Sequence, residues 1–277
     1  MKTTKPVLEL QDYFLTGDQF KLVRRGDSEI LETQPVPEDL GRYYESEDYL
    51  SHDDSKGGFF AYCYNLAKRF NLGSKSKLVA THLGTGKHLD IGAGIGDLVH
   101  TLNSRGLNSV GFEPSPRARD VAKSKGVTLL NNLELVASNS INVVSMYHVL
   151  EHVTNLEHQI AELERIMKKD AILILALPNY DCLDAKWFKK YWAGYDAPRH
   201  LFHFNQNAVE QLFSQRFELI DKKPMLFDSF YVSILSARYK KIPLAFLYGT
   251  VVGLLSNIAA LFTKNASSIT YVLKKRF

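Results

Sequence analysis

Three glycines in five residues, Gly92-Ala93-Gly94-Ile95-Gly96, constrain this chain more than any other feature. They follow an apolar run, His88-Leu-Asp-Ile91, that reads as a strand, and they precede Asp97 to Arg105, which reads as a helix stopped at Gly106. A tight turn from strand to helix needs residues that accept positive φ and let another group approach the backbone, and glycine supplies both. A second strand, Asn108 to Phe112, ends in Glu113-Pro114, which places a carboxylate at a strand's carboxyl end 21 residues after Gly92. A carboxylate there can accept hydrogen bonds from both ribose hydroxyls of a nucleoside. The strand, the bend, the helix and the strand-terminal acid together point to a nucleoside site, whereas a glycine triplet alone is a common turn.

The surrounding pattern supports a parallel sheet. Ser115 followed by Pro116 starts a helix, with a hydroxyl cap and then a residue that needs no amide partner. Gly126 ends it, and Val127 to Leu130 reads as a third strand. Ile141 to Met146 is a fourth. Leu156, Ile160, Leu163 and Met167 then fall at helical spacing behind Asn155 as cap. Ala171 to Leu177 is aliphatic throughout, as a strand covered on both faces should be. This alternation predicts an α/β, doubly wound, Rossmann-like sheet. Residues 1–70, polar and tyrosine-rich, are expected to form an accessory segment or cap beside a domain over 71–277.

With 277 residues, 45% apolar and 23% charged, the chain has an ordinary globular mix, and a net charge of +4 favours no partner. Two cysteines, Cys63 and Cys182, build neither a disulfide framework nor a cysteine zinc site. The start of the sequence lacks a secretory apolar run, so a reducing cytoplasm is the expected compartment. No long basic stripe is present to hold nucleic-acid phosphates.

Spacing also selects the cofactor. Dinucleotide sites favour G-x-G-x-x-G, which lays a pyrophosphate on a helix terminus. Here the third glycine comes one residue early and Asp90 stands two residues before the first, which disfavours a nicotinamide-dependent oxidoreductase. Gly84-Thr-Gly86-Lys87 lacks the Ser or Thr of a triphosphate loop. Asp90-Ile-Gly92-Ala-Gly94-Ile-Gly96 resembles the signature of class I S-adenosylmethionine-dependent methyltransferases. Tyr147-His148-Val-Leu-Glu151-His152-Val, Leu177-Pro178-Asn179 and Asp196-Ala-Pro198-Arg199-His200-Leu resemble the branch that includes the ubiquinone-pathway O-methyltransferases. The resemblance covers roughly residues 85 to 225. It implies a seven-stranded sheet whose last strand, Ile269 to Leu273, is antiparallel. It also implies S-adenosyl-L-methionine as cofactor, with Gly92, Gly94 and Gly96 along its methionine part, Glu113 on the ribose and Pro114 near the adenine. Asn132 or Leu133 would lie near that ring, and Asp90, Ala93 and Tyr147 complete the expected cofactor set. The family usually has Asp where this chain has Asn142, a position read as structural.

Methyl transfer from a sulfonium needs alignment, and a base where the acceptor is a hydroxyl. His148, Glu151 and His152 have i, i+3, i+4 spacing and would share one helical face. The set suits a base or a divalent ion, but loop bracing by Glu151 and His152 is the preferred reading, and no metal is assigned. His148, His152 and His200 are the catalytic candidates, with Arg199 on the substrate side. Trp187, Phe188, Tyr191, Trp192, Tyr195, Phe202 and Phe204 suggest an aromatic wall over a small-molecule acceptor, at oxygen, such as a sugar, a quinone or a lipid-linked precursor. A non-catalytic nucleoside binder is the competing reading. The amino-terminal part resembles a segment upstream of some sugar-modifying relatives, where it often carries a zinc ribbon. No cysteine precedes Cys63 here, so that metal function is lost, and Tyr44, Tyr49 and His52 are expected to cap the pocket.

Ile242 to Phe262 carries no charge and is flanked by Lys240, Lys241 and Lys264. A single span would strand Ile269 to Leu273 on the far side of a bilayer. Residues 226–266 are therefore expected to be a helical insertion serving as a lid or homodimer contact, or as a peripheral contact with the inner face of a membrane.

Overall fold

Which way the apolar side chains of successive strands point decides the layering. A computed structural model describes residues 6–44 and 59–277. Among these, the central sheet has six strands: β4 (Lys87–Ile91), β5 (Asn108–Phe112), β6 (Ile141–Tyr147), β7 (Met167–Pro178), β9 (Phe217–Pro224) and β10 (Ser268–Lys275). Their spatial order is β5-β4-β6-β7-β10-β9. The first four are parallel, and β10 runs antiparallel to both β7 and β9, as expected for the last strand. Leu89, Ile91, Val144, Met146, Leu173 and Leu175 pack with α4 (Leu156–Ile166) and α6 (Gln206–Phe213). Val143, Ile172, Ile174 and Val272, of opposite parity along their strands, pack with α1 (Phe59–Leu83) and α2 (Asp97–Ser104). Alternation along each strand thus gives three layers.

The expected caps form: the Ser115 hydroxyl accepts from Ala118 N at 3.4 Å to open α3 (Pro116–Ser124), and Asn155 accepts from His158 N at 3.0 Å to open α4. Asn142 accepts from Lys87 N at 3.0 Å and is structural in this sense.

Two expectations need correction. The seventh strand is absent among the described residues: Val127 to Leu130 makes a single bridge, Leu130 to Phe112. Val127 and Leu129 turn instead into a small cluster with Ala93, Val99 and Ala122, which occupies the segment before a ladder can extend. Secondly, the amino-terminal part is more than a polar segment. β1 (Leu8–Gln11), β2 (Gln19–Arg24) and β3 (Leu31–Gln34) form an antiparallel sheet completed by β8 (Phe202–His203). Arg25 ties it to α4 through Glu157 at 2.6 Å, and the Tyr180 hydroxyl donates to Glu29 O at 2.6 Å. Tyr49 and His52 lie outside the described residues.

Between β9 and β10 the chain makes a helical hairpin, α7 (Leu226–Tyr239) and α8 (Ala245–Thr263). Because β9 runs parallel to β7, the hairpin leaves and rejoins the sheet at the carboxyl edge of the parallel strands.

Candidate active site

β5 lies on one side of β4 and β6 on the other, so the connections leaving β4 and β6 diverge at their carboxyl ends and open a crevice. The glycine bend sits there. Gly92, Gly94 and Gly96 have φ of +72°, +54° and +77°, which side chains rarely adopt. Gly92 N and Ala93 N donate to Phe112 O at 2.9 and 3.0 Å, and Gly96 N donates to Ala93 O at 2.9 Å. A Cβ on Gly92 would lie 2.4 Å from Val149, so the strand-six loop presses on the bend. A Cβ on Gly94 would meet nothing within 4 Å among the described residues, so the apex is open on that side to them.

Glu113 is buried and turned toward that apex. Its Oε2 accepts from Gly94 N at 2.8 Å and its Oε1 from Ser115 N at 2.9 Å. Each oxygen keeps a further lone pair for a ligand. Beneath the bend, a polar relay crosses the sheet. His88 bridges Ser109 Oγ at 2.8 Å and Ser145 Oγ at 2.9 Å, and Ser145 Oγ donates to Asp90 at 2.5 Å. Burial pushes His88 down to about 3, so its ring is neutral. Burial also lifts Asp90 to about 6, against the pull of Ser145 and Lys75. At the end of β6 the Tyr147 hydroxyl is buried with no partner among the described residues, and Lys75 Nζ lies 4.1 Å from its ring centre. Pro114 is exposed at the end of β5, and Asn132 is an exposed cap that accepts from Glu134 N at 2.9 Å.

His148 follows directly, with φ +58°. Its Nδ1 stands 3.3 Å from Glu151 and its Nε2 3.2 Å from Asp228 of α7. Burial disfavours the imidazolium, but the two carboxylates outweigh it and raise the pKa to about 9. His152 behaves oppositely: burial, then His200, lowers it to about 4. His152 Nδ1 lies 3.0 Å from Arg199 O and 3.2 Å from the Tyr44 hydroxyl; His200 Nδ1 lies 3.0 Å from Gly194 O. The two rings meet edge to face at 4.6 Å. Glu151, His152 and His200 offer three ligand atoms within 4.8 Å of one another, and Glu151 Oε2 is buried without a hydrogen-bond partner among the described residues. Leu201 N donates to Glu151 O at 2.7 Å, so this cluster also braces two loops.

The catalytic candidates therefore fall into two environments, His148 under α7 and the His152–His200 pair against the Arg199 loop. Sequence reasoning missed three neighbours: Asp228, Lys75 and the relay through Ser145. Asp228 had one legible signal, since no acidic residue follows it in the chain.

Arg199, expected on the substrate side, is an interior clamp. Its side chain is 2% exposed and binds Asp12 at 3.1 Å, Asp196 at 2.6 Å and Tyr43 O at 3.2 Å. Removing one partner from a buried ion cluster leaves charge uncompensated. Arg199→Leu is expected to lower unfolding free energy by about 3–5 kcal/mol in urea titration; a loss within ~0.5 kcal/mol would contradict this reading. The aromatic wall also needs correction. Phe188, Trp192, Tyr195, Phe202 and Phe204 are buried, because they fill the seams between the two sheets and the hairpin. Trp192 Nε1 donates to buried Asp184 at 2.7 Å. Trp187 is exposed and Tyr191 half-buried.

An open α/β sheet with a glycine bend and a strand-terminal carboxylate at its switch point defines the nucleoside-binding, doubly wound class. Within that class the chain belongs to the methyltransferase-domain family, whose profile matches residues 65–219. No curated protein matches the chain. Among solved structures, an S-adenosylmethionine-dependent methyltransferase of Thermotoga maritima is 18% identical, with a TM-score of 0.52 over 78% of this chain and 94% of its own. A cyclopropane synthase of Mycobacterium tuberculosis is 18% identical, with a TM-score of 0.50 over 73% and 83%. Phosphoethanolamine N-methyltransferase 2 of Haemonchus contortus, solved with S-adenosyl-L-methionine, is 19% identical, with a TM-score of 0.51 over 74% and 53%. At such identities the likeness is one of fold.

Proposed function

We propose that this methyltransferase uses S-adenosyl-L-methionine to methylate a small-molecule acceptor at oxygen, such as a sugar, a quinone or a lipid-linked precursor. The observation that carries the reading is the hydrogen bond that holds the Glu113 carboxylate on Gly94 N at 2.8 Å, beside a bend whose Cβ side is open among the described residues. The motifs around Tyr147, Leu177 and Asp196 favour the branch that includes the ubiquinone-pathway O-methyltransferases.

The residues present fit the cofactor. Glu113 has lone pairs for two ribose hydroxyls, the Gly94 apex admits a group that no side chain among the described residues obstructs, and the buried Tyr147 hydroxyl lacks among those residues a partner that a ligand would supply. Asp90 supplies negative charge beneath the bend for a cationic amino acid moiety. In this reading Pro114 and Asn132 flank the adenine, and Gly92, Ala93 and Gly96 shape the turn. When bound, the cofactor supplies an electrophilic methyl on a sulfonium, whose in-line displacement neutralises its charge. The chain's work is to align the acceptor and hold its proton. His148 is the proton acceptor in this reading, oriented by Asp228 and Glu151; His152 and His200 shape the acceptor side.

The test is calorimetry with S-adenosyl-L-methionine across pH 5 to 8. A cation near Asp90 favours its ionised form, so binding releases a proton below about pH 6, and affinity rises with pH through that value. Asp90→Asn is expected to flatten this dependence. Absence of binding at millimolar cofactor overturns the assignment, and a pH-independent affinity removes Asp90 from it.

A further inference from the structure

We infer that the α7–α8 hairpin is a docking surface for an anionic lipid bilayer. Its residues are arranged inside out for a helix pair in water. Ser229 and Ser233 of α7 are buried in the seam against Gly249 and Gly253 of α8, while Ser236 and Ser256 are buried against the body of the protein, where Ser236 Oγ accepts from Ala193 N at 2.8 Å and Ser256 Oγ donates to Asp184 at 2.7 Å. The backbones approach so closely that a Cβ on Gly249 would lie 2.4 Å from Ile234 Cα. Large apolar side chains are turned outward instead: Leu247, Val251, Leu254, Ile258, Leu261 and Phe262 are 45–83% exposed. At 100° per residue they occupy an arc of about 100° on one face. Small residues inside and large apolar residues outside is the pattern of helices whose surroundings are as apolar as their side chains.

Charge selects the occupant. No acidic residue follows Asp228, whereas Arg238, Lys240, Lys241 and Lys264 border the apolar face, and Lys189 and Lys190 follow α5 (Leu183–Phe188), which packs on α8. A cationic border around an apolar face complements anionic headgroups over acyl chains and repels a symmetric second copy of itself. The hairpin does not span. α7 has 14 residues, about 21 Å at 1.5 Å each against roughly 30 Å of hydrocarbon, and both ends return to one sheet edge. It lies in the interface plane.

The docking face adjoins the crevice. Asn257 of α8 donates to Leu226 O at 2.9 Å, and Phe227 meets Phe70 of α1 at 5.5 Å. Phe70, Leu226 and Phe227 border a groove of about 150 Å³ that also contains Lys75 and Tyr147.

The experiment is flotation of the full chain with vesicles of phosphatidylcholine alone or mixed with phosphatidylglycerol, at low and high salt. The chain is expected to float with the anionic vesicles, less so at high salt. The exposed-face variant L254E/I258E/L261E is expected to lose binding by about tenfold or more while keeping its far-ultraviolet circular dichroism and its cofactor affinity; K240E/K241E should lose it partly. Failure of the unmodified chain to float at low salt overturns the inference. So does vesicle binding unchanged in L254E/I258E/L261E, or a stable dimer in light scattering that this variant dissolves while vesicles bind neither form. Cofactor affinity measured in the same samples reports on the methyltransferase reading independently.

Discussion

Gly94→Asp is expected to abolish S-adenosyl-L-methionine binding while leaving the protein folded. The position has φ +54°, and a Cβ there would meet nothing within 4 Å, so it clashes with no neighbour among the described residues. Aspartate tolerates the left-handed region better than most residues, and the backbone strain costs about 1–2 kcal/mol. The new carboxylate would project into the space reserved for the cofactor. It would also stand beside Glu113, whose Oε2 lies 2.8 Å from Gly94 N, so two like charges would share one opening. The expected loss of affinity is about a thousandfold or more, roughly 4 kcal/mol. Glu113→Ala removes the ribose acceptor and the loop tether together, and a loss of about 1.5–3 kcal/mol follows from a charge-assisted hydrogen bond. Calorimetry beside thermal unfolding checks both. Gly94→Asp binding within threefold of the unmodified protein would show that the open apex is not the cofactor's place.

Local signals in the sequence reached as far as local physics does. The Ser115 and Asn155 caps, the glycine bend and the wholly buried run of β7 are each set within a few residues, and each forms as expected. Glu113 facing Gly94 needed only strand spacing. What stayed hidden depends on partners far apart in the chain. β3 pairs with the two-residue β8, and neither carries a periodic signal long enough to read. Arg199 looks like a ligand-binding group until Asp12, 187 residues earlier, closes over it. Residues 226–266 were legible as a helical insertion, but their inverted packing depends on which face of α8 meets α7. The seventh strand was read from apolar residues whose packing does not require a ladder: Val127 and Leu129 join the Ala93 cluster beside Gly111 of β5, and only Leu130 bridges to Phe112.

The same long-range dependence makes His148 and Asp228 the sharpest test of the proposed chemistry. His148→Gln is expected to lower methyl transfer about 10²–10⁴-fold with little change in cofactor affinity, as loss of a positioned base does. In the cofactor-free protein the imidazolium bridges Glu151 and Asp228 with a pKa of about 9, so it accepts a proton only after losing its own. A bound cation in the neighbouring crevice lowers that value. The rate should therefore rise with pH toward an apparent pKa at or below about 9. Asp228→Asn, which removes one stabilising carboxylate, should move the rising limb to lower pH. Stability carries the complementary sign. The folded pKa lies above the ordinary 6.5, so the ion pairing stabilises fully below 6.5 and is lost as pH rises through about 9. The difference in urea midpoint between the unmodified protein and His148→Gln should accordingly shrink across that window. A variant with an undiminished rate and an unchanged pH profile would remove His148 from the chemistry. A midpoint difference that ignores pH would show that the bridging imidazolium does not form, leaving α7 held over the crevice by packing and by hydrogen bonds such as Ala193 N to Ser236 Oγ at 2.8 Å.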